Sequence, residues 1–77
     1  EKMFVVEMDV APAFYGALIG KGAENKTKLE QETNTQIIFP RREEIGMVKI
    51  RGASKANVQS ARTRMELIIE RSRQLQP

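Results

Sequence analysis

The chain has no cysteine, no histidine and no tryptophan among its 77 residues. Without cysteine it can form no disulfide, and without cysteine and histidine it lacks the ligands of most zinc sites. Histidine is also the commonest general acid or base in enzymes. The ten Asp and Glu residues form no recognisable acid–base constellation in the sequence. We therefore expect no catalysis, no metal site and no cofactor in this chain.

Aromatic residues and long apolar runs are scarce as well. Aromatic residues make up only 5% of the chain, which gives little support to binding by base stacking. No apolar run approaches the roughly 20 residues that a membrane-spanning helix needs. We expect a soluble intracellular protein with no membrane partner. Because the chain opens at Glu1 rather than at a methionine, we also expect it to be one piece of a longer protein.

The residues that are present are typical of one small folded domain. Hydrophobic residues make up 40% of the chain and charged residues 30%, which is too apolar for intrinsic disorder. The net charge of +3 is unevenly placed, because residues 1–20 carry −2 while residues 21–42 carry +2 and residues 54–77 carry +3. This basic excess in the middle and at the end favours an anionic partner.

Apolar periodicity predicts six elements in the order strand, helix, helix, strand, strand, helix. Residues that alternate with period two predict strands, and apolar residues at helical spacing predict helices. Asn34 is a candidate left-handed helix cap, Gly52 a strand break and Ser54 an N-cap. The polar segment RREEIG, residues 41–46, predicts a loop. The predicted strands and helices cover residues 3–10, 13–19, 23–33, 37–39, 47–51 and a long amphipathic stretch after Ser54. Three strands with three helices on one face form an α+β domain.

Two glycines flank a lysine where the second predicted helix begins. The N-terminus of a helix exposes unpaired N–H groups and attracts phosphate when the backbone can be approached closely. Gly20 and Gly22 permit that approach, and Lys21 adds a cation. The spacing does not fit a P-loop, which needs four residues before Gly-Lys and a Ser or Thr after it. A chain of this size also has no room for a Rossmann crossover with its ribose-binding acid.

The stretch LIGKGAENKTKLEQETNTQIIFP, residues 18–40, resembles the core of a type I KH domain. That family has a helix–Ile-Gly-x-x-Gly–helix turn, a helix that ends near Glu-Thr and a strand of the form Ile-x-Ile-Pro. The downstream segment VKIRGASKANVQSA is similar to the third strand, glycine and last helix of the family. The matching residues of the core are Ile19, Gly20, Lys21, Gly22, Leu29, Glu32, Thr33, Ile37, Phe39 and Pro40. The resemblance implies a type I KH fold, with a three-stranded antiparallel sheet covered on one face by three helices.

The same resemblance implies a site for single-stranded nucleic acid, RNA more than DNA. Ala23 stands where the family has its second loop glycine, so a methyl group lies where phosphate should come closest. Lys26 stands where many members have an apolar residue and adds a charge one turn into the helix. The implied contacts are Ile19, Gly20, Lys21, Gly22 and Ala23 for the nucleic-acid backbone, Lys26 for phosphate, and Ile37, Ile38 and Arg41 for the groove edge.

Other interpretations of these residues stay open from the sequence. The glycine turn could be a simple helix–helix corner, and Lys26 and Lys28 could be solvated charges, with Lys28 paired to Glu24 and Glu32. Ile38 could form a docking patch with Val5 and Met47 on the open sheet face. The leading rival function is therefore a protein-interaction domain on a degenerate KH scaffold.

Within the family, the segments KLEQETNTQIIFPR and SARTRMELIIE resemble a KH domain from a subunit of a transcription-coactivator and helicase complex that responds to alkylation damage. This likeness implies complex subunits as partners, a nuclear location with a cytoplasmic pool, and a role in DNA repair. In such proteins a phosphodiesterase-like domain with two histidines follows the KH domain. Any such activity would lie outside this chain, which has no histidine. We expect the isolated domain to be monomeric.

Overall fold

The computed structural model describes residues 3–41 and 46–75. The predicted order of strands and helices is confirmed. Short 3-10 turns precede both of the first two α-helices, at Pro12–Phe14 and at Lys21–Ala23. Residues 42–45 of the predicted loop lie outside the described part. The elements are β1 (Phe4–Met8), α1 (Tyr15–Ile19), α2 (Glu24–Thr33), β2 (Thr35–Ile38), β3 (Val48–Gly52) and α3 (Lys55–Leu75).

The three strands form one antiparallel sheet in the order β1-β3-β2. Ile50 of the central strand lies opposite Val6 on one side and Ile37 on the other. Val48 and Ile50 are completely buried, because β3 is paired on both edges and covered by helices on one face. This row of aliphatic side chains is the floor of the core.

The helices cover one face of the sheet, as the resemblance implied. Val58, Ala61 and Met65 recur at helical spacing along α3 and are completely buried, as predicted. The rest of the buried core comes from every other element: Met8, Val10, Leu18, Leu29, Ile37, Val48 and Ile50. Even α3, whose 21 residues have the length to span a bilayer, is too polar to do so, and no other helix in the described ranges is suited to cross a membrane.

Two of the predicted helix caps are confirmed. Asn34 follows α2 with φ 53° and ψ 51°, the left-handed conformation that asparagine tolerates. The Ser54 hydroxyl accepts a hydrogen bond of 3.0 Å from the Asn57 amide in the first turn of α3. The turn between α2 and β2 is further held by buried hydroxyls, because Thr33 donates to the Leu29 carbonyl at 2.7 Å and lies 2.8 Å from the Thr35 hydroxyl.

Gly52 has a different role from the predicted strand break. It is the last residue of β3, pairs with Thr35, and is buried. A Cβ atom at this position would lie 3.0 Å from a methyl of Val58 and 3.1 Å from the methyl of Thr35. The glycine therefore lets the first turn of α3 pack closely on the sheet.

The open face of the sheet has no continuous apolar patch from Val5 to Ile38, so that part of the docking prediction is wrong. Val5 lies opposite Arg51, and Ile38 lies opposite Lys49. Because β3 is the central strand, its two cations separate the side chains of the edge strands. Val5 and Ile38 are two strand spacings apart and also offset by two residues along β3, which separates them by about 12 Å.

Candidate nucleic-acid interface

The loop between α1 and α2 has positive φ angles at three of its four residues. Gly20 has φ 75° and ψ 175°, Gly22 has φ 64° and ψ 25°, and Ala23 has φ 62° and ψ 23°. The Ala23 amide closes the turn on the Gly20 carbonyl at 3.2 Å. The chain therefore reverses sharply here, and the two helices meet at an exposed corner.

The two glycines serve different purposes. A Cβ atom on Gly20 would lie 2.8–2.9 Å from three atoms of the Asn25 side chain, which itself donates a hydrogen bond of 3.1 Å to the Ala17 carbonyl of α1. Gly20 is thus required for the packing of α2 on α1. No atom lies within 4 Å of a Cβ built on Gly22, so this residue faces open space.

The N-terminus of α2 has no side-chain cap. Its N-cap is Ala23, which has no hydrogen-bonding side chain, and no capping hydrogen bond is formed. The first amides of a helix have no partner within the helix, and the helix dipole makes this end positive. Beside them lies the exposed side chain of Lys21. The amides of Ala23 and Glu24 already donate to the carbonyls of Gly20 and Lys21. The corner therefore combines the positive end of the helix dipole, a cation and open backbone, which together suit a phosphate group.

Lys26 lies one turn into α2 and is paired with a carboxylate. Its Nζ is 3.2 Å from Oε2 of Glu30, and the Lys26 side chain is 30% exposed. The pairing predicted for Lys28 with Glu32 is wrong in the described structure, because Glu32 reaches across to Arg64 of α3 instead. The tertiary contact replaces the local one, since Arg64 places its guanidinium directly against that carboxylate.

Glu30 is a residue of this region that sequence reasoning missed. Its Oε2 atom also accepts a hydrogen bond of 2.8 Å from the backbone amide of Ile37 in β2. Lys26 and Glu30 are spaced four residues apart in α2 and so share the side of the helix that reaches that strand. We call Lys26, Glu30 and the Ile37 amide the α2–β2 strip. The only sequence signal for Glu30 was its i+4 spacing from Lys26.

The remaining predicted site residues are distributed around this strip. Ile19 ends α1 beside the loop and is half-buried, while Arg41 is exposed after Pro40. The Ile37 side chain is only 2% exposed, so Ile37 offers a ligand its backbone edge. Ile38 lies on the open face of the sheet, opposite Lys49. The structure therefore places Lys26 and the Ile37 amide on one Glu30 carboxylate and residues 19–23 before the first turn of α2, whereas Ile38 faces away from the helices.

Replacing Ala23 by glycine is expected to stabilise the domain. A residue with a Cβ atom in the left-handed region is strained by about 1–2 kcal/mol, and glycine relieves that strain. Part of this gain is offset by the greater conformational entropy of glycine in the unfolded chain. We expect Ala23→Gly to raise the free energy of unfolding by about 0.5–1 kcal/mol, measured by urea denaturation. Ala56→Gly, in the exposed first turn of α3, is the matched control and should lower it by a similar amount. If Ala23→Gly lowered the free energy of unfolding, that result would contradict the backbone strain at Ala23.

The amino-acid sequence is similar to one protein family and to one mouse protein. The model of the KH domain family matches residues 5–67. Mouse activating signal cointegrator 1 complex subunit 1 is 36% identical over 63 residues, which are 82% of this chain and 18% of that protein. The chain thus corresponds to less than a fifth of the length of that relative.

Solved structures of vigilin KH domains have the same fold. The first type I KH domain of human vigilin superposes with a TM-score of 0.87 over 100% of this chain and 82% of that one, at 24% identity. Repeat 6 of vigilin gives a TM-score of 0.70 over 87% of this chain and 96% of that one, at 25% identity. With a family model that spans most of the chain and a matching three-stranded topology, the chain belongs to the KH domain family and has the type I KH fold.

Proposed function

We propose that this domain binds a short single-stranded nucleic acid, RNA in preference to DNA, with its phosphates at the loop between α1 and α2. KH domains are single-stranded nucleic-acid-binding modules whose loop holds the backbone of about four nucleotides. The observation that carries the proposal is the uncapped N-terminus of α2, which lies beside Lys21 and the open Gly22. Ala23 keeps the left-handed backbone of the loop even without the second glycine.

We also propose that the domain works as part of a larger assembly. A single KH module grips only a few nucleotides, so its affinity alone should be low. The mouse relative is by name a subunit of an activating signal cointegrator 1 complex. By this likeness the domain would deliver nucleic acid to other subunits of such a coactivator complex, in the nucleus and in the response to alkylation damage.

The test is a salt titration with a fluorescent RNA octamer of mixed sequence and a DNA octamer of the same sequence. Two to three phosphate contacts give a slope of log affinity against log salt of about −1.4 to −2.1 for a single strand. We therefore expect affinity to fall by about 7- to 18-fold between 50 and 200 mM salt. RNA should bind more tightly than DNA at both concentrations.

Two outcomes of this titration would contradict the proposal. The first is an absence of binding by a domain that circular dichroism shows to be folded. The second is binding that does not change with salt, since contacts to phosphate release counterions. Equal affinity for both octamers would overturn the preference for RNA while leaving single-strand binding intact.

A second candidate function is favoured by a groove on the other side of α2. This groove, of about 580 Å³, lies between α2 and α3 and contains none of the predicted site residues. Leu67 lies in its wall with 62% of its surface exposed, among the side chains Lys28, Leu29, Ile68 and Arg71. Together with Leu29 and Ile68 it gives the groove a continuous apolar lining, which suits a protein partner. A folded domain that binds neither octamer would favour this function.

A further inference from the structure

The Glu30 side chain of α2 changes the hydrogen-bonding pattern along the edge of β2 that is not paired with β3. In an antiparallel strand the N–H and C=O of one residue point to the same side. Because the Ile37 amide reaches Glu30 of α2 rather than β3, the Ile37 carbonyl points to the same free edge. The Ile37 N–H is thus hydrogen-bonded to the Glu30 carboxylate, whereas the Ile37 carbonyl remains an acceptor at this edge.

The Glu30 carboxylate keeps acceptor capacity for a ligand. Both of its hydrogen bonds, from Lys26 Nζ and from the Ile37 amide, end on Oε2. Among the described residues, Oε1 forms no hydrogen bond, and the Glu30 side chain is still 23% exposed. An ionised carboxylate only accepts hydrogen bonds. Beside the Lys26 ammonium, the α2–β2 strip therefore presents two acceptors, Oε1 of Glu30 and the Ile37 carbonyl, in place of the alternating donors and acceptors of a bare strand edge.

We propose that Glu30 is a base-reading residue, which accepts a hydrogen bond from the exocyclic amino group of a nucleobase laid against the edge of β2. This inference rests on the proposed function, because it requires the phosphates at the loop. The spacing along α2 supports it: the helix begins at Glu24, six residues before Glu30, which is about 9 Å at 1.5 Å per residue. A strand held at the loop can therefore place one of its next bases beside Glu30.

The chemistry of the bases predicts the preference. Cytosine, adenine and guanine each carry an exocyclic amino group that can donate to a carboxylate, as cytosine N4 does to Glu in direct readout. Uracil has no exocyclic amino group, and a carboxylate repels its carbonyl oxygens. We expect the wild-type domain to bind oligo(C) and oligo(A) octamers at least about fivefold more tightly than oligo(U).

The test is Glu30→Gln. A glutamine oxygen can still accept from the Ile37 amide, so the fold should be kept, but its other polar atom is a donor. We expect the ratio of oligo(C) to oligo(U) affinity to fall below about twofold. The ratio is the decisive readout because loss of a negative charge raises affinity for both octamers equally. Glu70→Gln, an equal charge change at an exposed position on α3, should leave the ratio unchanged.

A measurement on the wild-type chain keeps the proposal testable if the variant does not fold. The Ile37 amide resonance should shift more on addition of oligo(C) than of oligo(U), because the base binds the carboxylate that this amide contacts. If binding depends on salt but the ratio of oligo(C) to oligo(U) affinity is the same in wild type and Glu30→Gln, the role of Glu30 is overturned. The proposed function would stand in that case. Failure of every octamer to bind would overturn the proposed function and this inference together.

Discussion

Replacing Lys21 and Gly22 together by aspartate is expected to weaken RNA binding by about 100-fold or more. The double substitution removes one cation and adds two anions beside the phosphate position, a change of three charges. At roughly 1 kcal/mol per charge for contacts near 4 Å in water, the loss is about 3 kcal/mol. That corresponds to a factor of about 150 in the dissociation constant, which fluorescence anisotropy with the RNA octamer would measure.

The fold should survive this double substitution. Lys21 is exposed, and Gly22 faces open space. The left-handed backbone at Gly22 is tolerated by aspartate better than by most residues, at a cost of about 1 kcal/mol. We expect the melting temperature to fall by less than about 8 °C. Loss of binding in a variant that is still folded then reports on the loop rather than on stability.

A charge-matched control separates local contact from general electrostatics. Lys55→Asp with Gln59→Asp changes the net charge by the same amount at exposed positions in the first turns of α3. We expect this variant to lose less than about fivefold in affinity, because distant exposed charges are screened by salt. If both double variants lost binding equally, the loop would have no special role.

Gly20→Ala should have the largest effect on stability of any single change in the loop. A Cβ atom would lie 2.8–2.9 Å from the Asn25 side chain, and the conformation with φ 75° and ψ 175° is almost confined to glycine. The backbone strain is about 1–3 kcal/mol, and displacing Asn25 loses about 1 kcal/mol from its hydrogen bond to Ala17. We expect the free energy of unfolding to fall by about 2–4 kcal/mol. Thermal denaturation would show this as a fall in melting temperature of roughly 10–30 °C.

Gly22→Ala is the matched control for this prediction. It also places a Cβ on a left-handed residue, but in open space, so only about 1 kcal/mol should be lost. A double-mutant cycle with Asn25→Gly isolates the steric part, because Asn25→Ala would keep the Cβ atom that lies 2.9 Å away. Gly20→Ala should be less destabilising once that atom is gone, so equal effects of the two glycine variants, or strict additivity with Asn25→Gly, would contradict the close contact.

Most of the fold could be predicted from local pattern. The alternation in β1 and the apolar spacing in α3 predicted the elements whose side chains form the core. The caps at Asn34 and Ser54 were also predictable, because capping depends on the chemistry of one residue and its nearest neighbours. The end of β3 was less predictable. Gly52 leaves room there for the side chains of Val58 and Thr35, which belong to other elements of the fold.

The candidate site was predictable only in outline. The resemblance pointed to the loop and to Lys26, but it treated Gly20 and Gly22 alike and passed over Glu30. The distinction between the glycines depends on Asn25, whose position is set by the packing of α2 on α1. The position of Ile38 on the open face depends on the register of β2 with β3. Contacts of this kind join residues whose spacing in the chain carries no signal.

The sequence alone determined the α+β class, the element order and a glycine turn at the start of α2, because periodicity, capping and glycine placement are properties of neighbouring residues. Only the tertiary structure decided that β3 lies between β1 and β2 and so divides the apolar residues of the open face with two cations. It also brought Glu30 of α2 onto the amide of Ile37. Both outcomes depend on how separate elements pack, since strand order and helix placement minimise exposed apolar surface over the whole chain.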